Sequence, residues 1–500
     1  MNVGNINAAG IIGWGVYIPP SRIDTVALDC YRTFGADSQS HLKVANRRCA
    51  SLGVSQFAIP AVSEDSTTMA IEASVRALVA NRIAPERLGA IYLGSESRGE
   101  YKVRPTSAII ASYLGATREV WIKDIDTSCA GGAVALEDCL EKVALGKVEV
   151  GLAIGSDVAL YPSGPAELTQ GAGAAALLLG RGSGVMATLL DSFCTAVHSE
   201  DFLRRNGQEY PYLNPMCSKR LYQGLCREAV FGLLERLSYR IGDFDRIAFH
   251  TPYERLTLQL AKDGLGLTDE EIQTKVRPHL SARFIGNAYA ASSLISLVLA
   301  LELSRAGEKI LLCSYGSGAM ALALAFEVVH DGLAVISKKQ TFREIISESR
   351  VQSIEVYEKW RELYSSLRRN GGSPFQYVCK VCPEGEVKQT ISICRKCGRV
   401  QGIAPQPICS SDKCRGDMVQ IRLPTLGQIT EVTRYDRHLY RRFCDGFVPL
   451  ETHNTGNHRI GERVRLTTRV IEVEGEEGPV CYGPAYVPEK CRIESDCECL

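Results

Sequence analysis

Two stretches of the chain carry the same succession of apolar and polar runs. The first reads TSCAGGAVALEDCLEKVALGKVEVGLAIGSD, followed shortly by GAGAAALLLG. The second reads IGNAYAASSLISLVLALELSRAGEKILLCSYGSG and runs straight into GAMALALAFEV. Each is a small-residue turn, an apolar run at helical spacing, a charged turn with Gly, an apolar strand, a Gly-Ser turn and a further apolar strand. A strand also precedes each unit, AIYLGSES before the first and RIAFHTP before the second. Order and spacing together predict a duplicated α/β unit. Apolar strands alternating with helices predict a mixed or parallel sheet buried on both faces. Residues 1–185 form one half and 186–335 the other. Between them the polar segment from His198 to Cys226, with LRRNGQEYPYLNP at its centre, reads as loop and short helix.

The pattern changes after the second half. QSIEVYEKWRELYSSLRRNGG is a charged amphipathic helix that ends in a Gly pair and Ser-Pro, so 336–375 reads as a helical linker. Residues 376–416 are Cys-rich. Residues 417–490 hold short strands, MVQIRL, GQITEVTRY and RVRLTTRVIEV, which suit a small barrel. The end, 491–500, reads as a tail.

Composition narrows the function classes. The 500 residues exceed one ordinary core, so at least two domains are expected. A hydrophobic fraction of 45% with 23% charged residues is that of a soluble globular protein. Formal net charge is zero, which argues against nucleic-acid binding. The start, MNVGNINAAGIIGWGVYIPP, has neither the basic residues nor the apolar core of a secretory signal. The longest apolar run, Ala288 to Leu301, is too short and polar for a bilayer, so no membrane association and a cytoplasmic location are expected. With no sign of export, most of the 19 cysteines read as small buried hydrophobes. The terminal CECL has a central Glu that argues against prenylation.

Cys129, in DTSCAGGA, precedes residues at helical spacing, Ala133, Leu136, Leu140 and Val143. It is therefore expected at a helix N-terminus, where the partial positive charge favours the nucleophilic thiolate. The small residues after it let a substrate approach the backbone. The same place also suits a buried structural thiol. His250 ends the strand RIAFH, and Glu96 follows the strand AIYLG at the mirrored place of the first half. In a duplicated fold such strand ends meet at one site. A core histidine and a solvated loop carboxylate are the plainer alternatives. Asn287 takes, by its place in GNAYAAS, the position in the second repeat that Cys129 takes in the first, and an amide there caps a helix or binds a carbonyl. Gly316-Ser317-Gly318 is a turn whose N–H groups suit a developing oxyanion.

GSES, DTSCAGGA, ELTQGAGAAALLLG, FHTPYERL, FIGNAYAAS and SYGSGA, in that order over residues 10 to 335, resemble hydroxymethylglutaryl-CoA synthase, especially its archaeal and bacterial branch. The resemblance implies a thiolase-like fold, two α/β halves in five layers, αβαβα. It implies that acetyl-CoA acylates Cys129, that Glu96 is the general acid/base, and that His250 positions the carbonyl of acetoacetyl-CoA. It implies that Asn287, Gly316 and Ser317 bind substrate or oxyanion, and that the protein is a homodimer. There are departures. Arg255 stands in HTPYERL where the family has Lys, a planar fork in place of a point charge for a CoA phosphate. YPYLNPMCSKRLY lacks the family's acidic turn, and Leu168 precedes TQGAG where Pro is common. These touch the substrate side. They leave open a ketoacyl-synthase-like enzyme with another acceptor and an acyl-carrier partner, or a non-catalytic acyl-CoA-binding scaffold for a thiolase.

In ICRKCGRVQGIAPQPICSSDKC, Cys394-x2-Cys397 and Cys409-x4-Cys414 are separated by eleven residues, which suits a tetrahedral structural zinc. Cys379 and Cys382 are a competing pair. With the strands that follow, this segment resembles the zinc-ribbon and OB-fold protein that accompanies thiolases and synthases, here fused to its partner.

Overall fold

The computed structural model describes residues 9–35, 42–97, 103–158, 166–205, 211–332 and 341–370. Beyond these it describes the strand segments 377–383, 389–394, 418–423, 426–434, 448–450, 463–473 and 480–488. The chain divides into two compact units. The first runs to Lys359 less 62–64 and 112–115; the second is those two short segments with Trp360 onward. The division falls inside the helix Ile354–Asn370, not at the start of the expected linker.

The strands of the first unit are β1 (Ala9–Tyr17), β2 (Ser21–Asp24), β3 (Gln56–Ile59), β4 (Leu88–Gly94), β5 (Trp121–Ile125), β6 (Val150–Val158), β7 (Ala172–Arg181), β8 (Ala187–Ala196), β9 (Phe202–Leu203), β10 (Tyr212–Leu213), β11 (Arg246–Phe249), β12 (Lys309–Gly316), β13 (Met320–Val328) and β14 (Arg350–Val351). Nine of them form one sheet in the order β11-β12-β13-β8-β1-β7-β6-β4-β5. β1 pairs with β7 along its length, but meets β8 only at Gly10↔Thr188 and Ile11↔Ala187. The sheet is thus two half-sheets joined at a corner. The order β4-β6-β7-β1 returns as β11-β12-β13-β8, with the same sequence of parallel, antiparallel and antiparallel pairings. The duplication expected from the sequence is present in the hydrogen bonding. β6, β7, β12 and β13 are buried nearly throughout, which is why they read as unbroken apolar runs.

The helix Gly131–Ala144 packs on β4, β6 and β7. Its counterpart Ser292–Leu303 packs on β11 and β12 and reaches β7 of the other half. Each is entered through a one-turn 3-10 segment, Ser128–Ala130 and Tyr289–Ala291. The first residue of each turn is left-handed, Ser128 at φ 50° and Tyr289 at φ 48°. These strained residues fix the register between the halves. The backbone mate of Cys129 is therefore Ala290, and Asn287 matches Asp126, correcting the expectation that Asn287 stands opposite Cys129. Small residues on both sides of the turn hide this register in the sequence.

The polar insertion also differs from expectation. A β9–β10 hairpin leads to a 23-residue helix, Pro215–Leu237. Asn214 caps it by accepting from Cys217 N at 3.2 Å, with Pro at the first helical position, where its missing N–H costs nothing.

In the second unit, β15 (Tyr377–Pro383), β18 (Leu426–Arg434), β19 (Val448–Leu450), β20 (Arg463–Val473) and β21 (Val480–Pro488) close a barrel in the order β15-β18-β20-β21-β19. β16 (Gln389–Cys394) and β17 (Met418–Leu423) pair separately as an antiparallel ribbon. The ribbon is inserted between two barrel strands, so the expected division at residue 416 does not separate barrel from ribbon. Cys379 and Cys382 lie on the barrel strand β15, whereas Cys394 ends β16. Cys397, Cys409 and Cys414 lie outside the described residues. No helix of the described residues is long and apolar enough to cross a membrane.

Candidate active site

Cys129 is buried in the turn before Gly131–Ala144. Its Sγ donates to Glu96 Oε2 at 3.5 Å. Glu96 reaches it because β4 ends against the turn: a Cβ on Gly94 would stand 1.9 Å from the Gly131 carbonyl carbon. Any side chain at 94 would therefore push the two loops apart.

Behind this pair is a carboxylate that the motifs do not reveal. Asp157, at the end of β6, is fully buried. Its Oδ1 accepts from Ser95 Oγ (2.8 Å), Glu96 N (3.0 Å), Ser97 N (2.8 Å) and Ser97 Oγ (2.6 Å). Its Oδ2 accepts from Ala290 N at 2.8 Å. One side chain thus ties the Glu96 loop of the first half to the turn of the second. Its sequence signal is a charged residue closing an otherwise apolar strand.

The two carboxyls are pushed apart in acidity. Burial raises Asp157 to about 6, opposed by the hydrogen bonds from Ser97, Ala290 and Ser95. Burial and the neighbouring Asp157 charge raise Glu96 to about 8. Burial, then the charges of Glu96 and Asp157, hold the Cys129 thiol well above its ordinary value. This corrects the expectation of a resting thiolate. A helix N-terminus contributes about 0.3–1 kcal/mol. One unit of upward shift already costs about 1.4 kcal/mol, and burial outweighs the dipole.

His250 is buried at the end of β11. Its backbone is fixed by His250 N to Cys313 O at 2.9 Å and by Tyr222 OH, which donates to His250 O at 2.8 Å. Burial pushes the imidazole down to about 4, opposed by the Asn287 amide, so it is neutral. The Asn287 amide is close enough to act on the ring, though neither ring nitrogen meets full hydrogen-bond geometry with a partner among the described residues. Asn287 Oδ1 accepts from Tyr289 N at 2.8 Å and so caps the turn. The Tyr289 ring packs against Cys129. The structure thus brings Cys129, Glu96, Asn287 and His250 together.

Gly316 joins them, since a Cβ there would stand 2.2 Å from Thr127 O. In the same turn Gly318 N donates to Asp201 Oδ1 at 3.0 Å, and Tyr315 OH to Asp201 Oδ2 at 2.7 Å. The Ser317 amide makes no such bond among the described residues. The Tyr315 ring meets Tyr222 edge-on, and Tyr222 meets His250, so Asp201 braces both the turn and the histidine. Arg204 Nη2 approaches Glu96 O at 3.5 Å. Arg255 is exposed on the helix Glu254–Gln259, and no contact brings it to Cys129. Among the described residues no cluster of His, Cys, Asp and Glu suits a metal ion.

A family model described as hydroxymethylglutaryl-coenzyme A synthase N terminal matches residues 6–183. The hydroxymethylglutaryl-CoA synthase of Methanopyrus kandleri is 35% identical over 344 residues, covering 68% of this chain and 93% of that protein. The chain belongs to the hydroxymethylglutaryl-CoA synthase family. Among solved structures, it is similar to MvaS in complex with 3-hydroxy-3-methylglutaryl coenzyme A, with TM-score 0.62 and 23% identity, covering 76% of this chain and 94% of that one. It is also similar to the curacin biosynthetic pathway HMG synthase in complex with acetyl donor-ACP, with TM-score 0.65 and 20% identity, covering 73% and 92%. These likenesses are of fold, the α/β thiolase-like fold of synthases. Asp157 and Tyr289 are the members of this candidate site that motif reading missed.

Proposed function

We propose that this chain condenses an acetyl group carried on Cys129 with the ketone of acetoacetyl-CoA. The observation that carries the reading is the Cys129–Glu96 contact backed by Asp157. The Cys129 thiol passes its proton to the Glu96 carboxylate as sulfur attacks acetyl-CoA. CoA leaves with that proton, giving a thioester on Cys129 and restoring the base. Glu96 then takes a proton from the acetyl methyl. The resulting carbanion attacks the acceptor ketone, whose oxygen receives a hydrogen bond from the neutral His250 ring, with Asn287 beside it. Glu96 returns its proton to the new alkoxide. Water then cleaves the Cys129 thioester, freeing the six-carbon product and the thiol. The Ser317 N–H and the Gly316 turn suit the oxyanion of the thioester steps. Arg255 is an exposed cation suited to a CoA phosphate.

The wild-type protein given acetyl-CoA and acetoacetyl-CoA is expected to release one CoA per six-carbon product. An acetyl adduct that never yields this product would count against the acceptor, not the nucleophile. An acyl-carrier donor is the second reading, favoured by the carrier complex of the curacin synthase and by the altered YPYLNPMCSKRLY segment. A scaffold without catalysis has no use for a base poised on a buried thiol.

The barrel and ribbon support an OB-fold with an inserted zinc ribbon. The pairing Cys394↔Met418 brings both ends of the Cys-bearing segment to one place, which suits Cys394, Cys397, Cys409 and Cys414 as four thiolate ligands. The zinc would be structural, its binding free energy adding to the stability of the folded segment. One zinc per chain is expected by elemental analysis of protein purified without chelator; metal-free folded protein would sink the assignment. A homodimer is supported by β5, an edge strand that leaves Trp121 59% and Ile122 39% exposed. The free buried cysteines of the catalytic unit suit a reducing cytoplasm.

A further inference from the structure

The helix Ile354–Asn370 reads as linker, yet its first turn is built into the catalytic unit. Tyr357 is fully buried, and its ring meets Phe57 edge-on at 5.8 Å. Gln170 Nε2 donates to Tyr357 OH at 2.7 Å, and that hydroxyl donates to Glu167 Oε1 at 3.2 Å. Arg32 closes the network with two bonds to Glu167, Nε at 2.9 Å and Nη2 at 2.7 Å, and also pairs with Glu358. Gln170 is itself fully buried, so the bond from its amide to the Tyr357 hydroxyl is made away from water.

Gln170 connects this network to the active site through the backbone. It forms a parallel bridge with Asn287, and Asn287 N donates to Thr169 O at 2.8 Å. The approach is close enough that a Cβ on Gly286 would stand 1.9 Å from Gln170 O. Asn287 in turn caps Tyr289, which packs on Cys129. Residue 170 therefore stands between a helix outside the two sequence repeats and the turn that carries Asn287.

We propose that Tyr357 is a positioning residue: its hydroxyl, through Gln170, holds the Asn287 turn in the arrangement the second substrate requires. What Asn287 does for the substrate rests on the condensation reading above; the tether itself does not. A hydroxyl that orders this turn acts on the step in which the acceptor carbonyl is held, because a small displacement of a positioning group lowers the rate without removing the chemistry. It leaves the acetylation of Cys129, which uses Glu96, largely intact.

Tyr357→Phe keeps the ring on Phe57 and removes only the hydroxyl; Gln170→Leu removes the other end of the bond. In full-length protein without substrate, hydrogen–deuterium exchange over Gly286–Ala291 is expected to quicken about fivefold in each variant, and no further in the double variant. Acetyl adduct on Cys129 is expected within twofold of wild type, while six-carbon product formation falls roughly tenfold. Unchanged exchange in both single variants overturns the tether. Faster exchange with product formation within twofold overturns the positioning role and leaves a merely structural hydroxyl. Should wild type give no acetyl adduct, the condensation reading fails, and the exchange measurement alone decides for or against the tether.

Discussion

Cys129→Ala is expected to give no acetyl adduct by intact mass and to lower product formation by at least about 10³-fold. The magnitude follows from the chemistry. Acyl transfer through a thioester splits one difficult displacement into two, and alanine has no atom on which to form the intermediate. It is also a gentle change for the fold. The thiol is buried beside Tyr289, and its bond to Glu96 is long, at 3.5 Å. Losing a sulfur there costs about 1–2 kcal/mol of stability, far less than the roughly 4 kcal/mol that a 10³-fold loss of rate represents. A near-normal melting temperature with full loss of turnover is therefore the expected pair of results. Retention of adduct would mean that another thiol is acylated. Cys217 and Cys194, the cysteines of the catalytic unit that are not buried, are the ones to map.

Motif reading found the parts of this site that are attached to local pattern. Cys129 begins an apolar helical run, and Glu96 and His250 end apolar strands, so their places follow from periodicity and from the repeat. Asp157 was missed because its role depends on five donors from two separate segments, neither adjacent to it in sequence. The register of the repeat was misjudged by three residues at Asn287, because what fixes it is the left-handed backbone at Ser128 and Tyr289, which no composition signal marks. The thiolate expectation failed for an energetic reason: position on a helix is visible in sequence, but burial between two carboxyls is not. In the second unit only β18 and β20 of the five barrel strands were legible as strands, and MVQIRL, read with them, is the ribbon strand β17. That the ribbon interrupts the barrel was not legible, because β15 finds its barrel partner β18 only after the insertion.

Glu96→Gln separates the two half-reactions. Glutamine keeps the size of the side chain and removes both the proton acceptor and its charge. For condensation the loss is large, since the base that takes a proton from the acetyl methyl is removed; the expected decrease is about 10²–10⁴-fold. For acylation two effects oppose. The acceptor for the thiol proton is gone, but above about pH 8, where Glu96 is ionised, so is a charge that raises the Cys129 thiol, and there the thiol ionises more readily. Acetyl-enzyme is therefore expected to accumulate in Glu96→Gln, seen as a stable adduct with little six-carbon product. The pH dependence carries the same assignment. With Glu96 raised to about 8, roughly a tenth of it is ionised at pH 7. The base form increases with pH, so wild-type kcat/KM is expected to climb tenfold per unit below about 8 and to level off above it. His250, pushed down to about 4, stays neutral throughout and adds no limb in this range. In Glu96→Gln the residual activity should lose the limb near 8. A variant that turns over within tenfold of wild type, or that keeps the same limb, would remove Glu96 from the mechanism and leave Asp157, whose oxygens are all engaged, as a poor substitute for it.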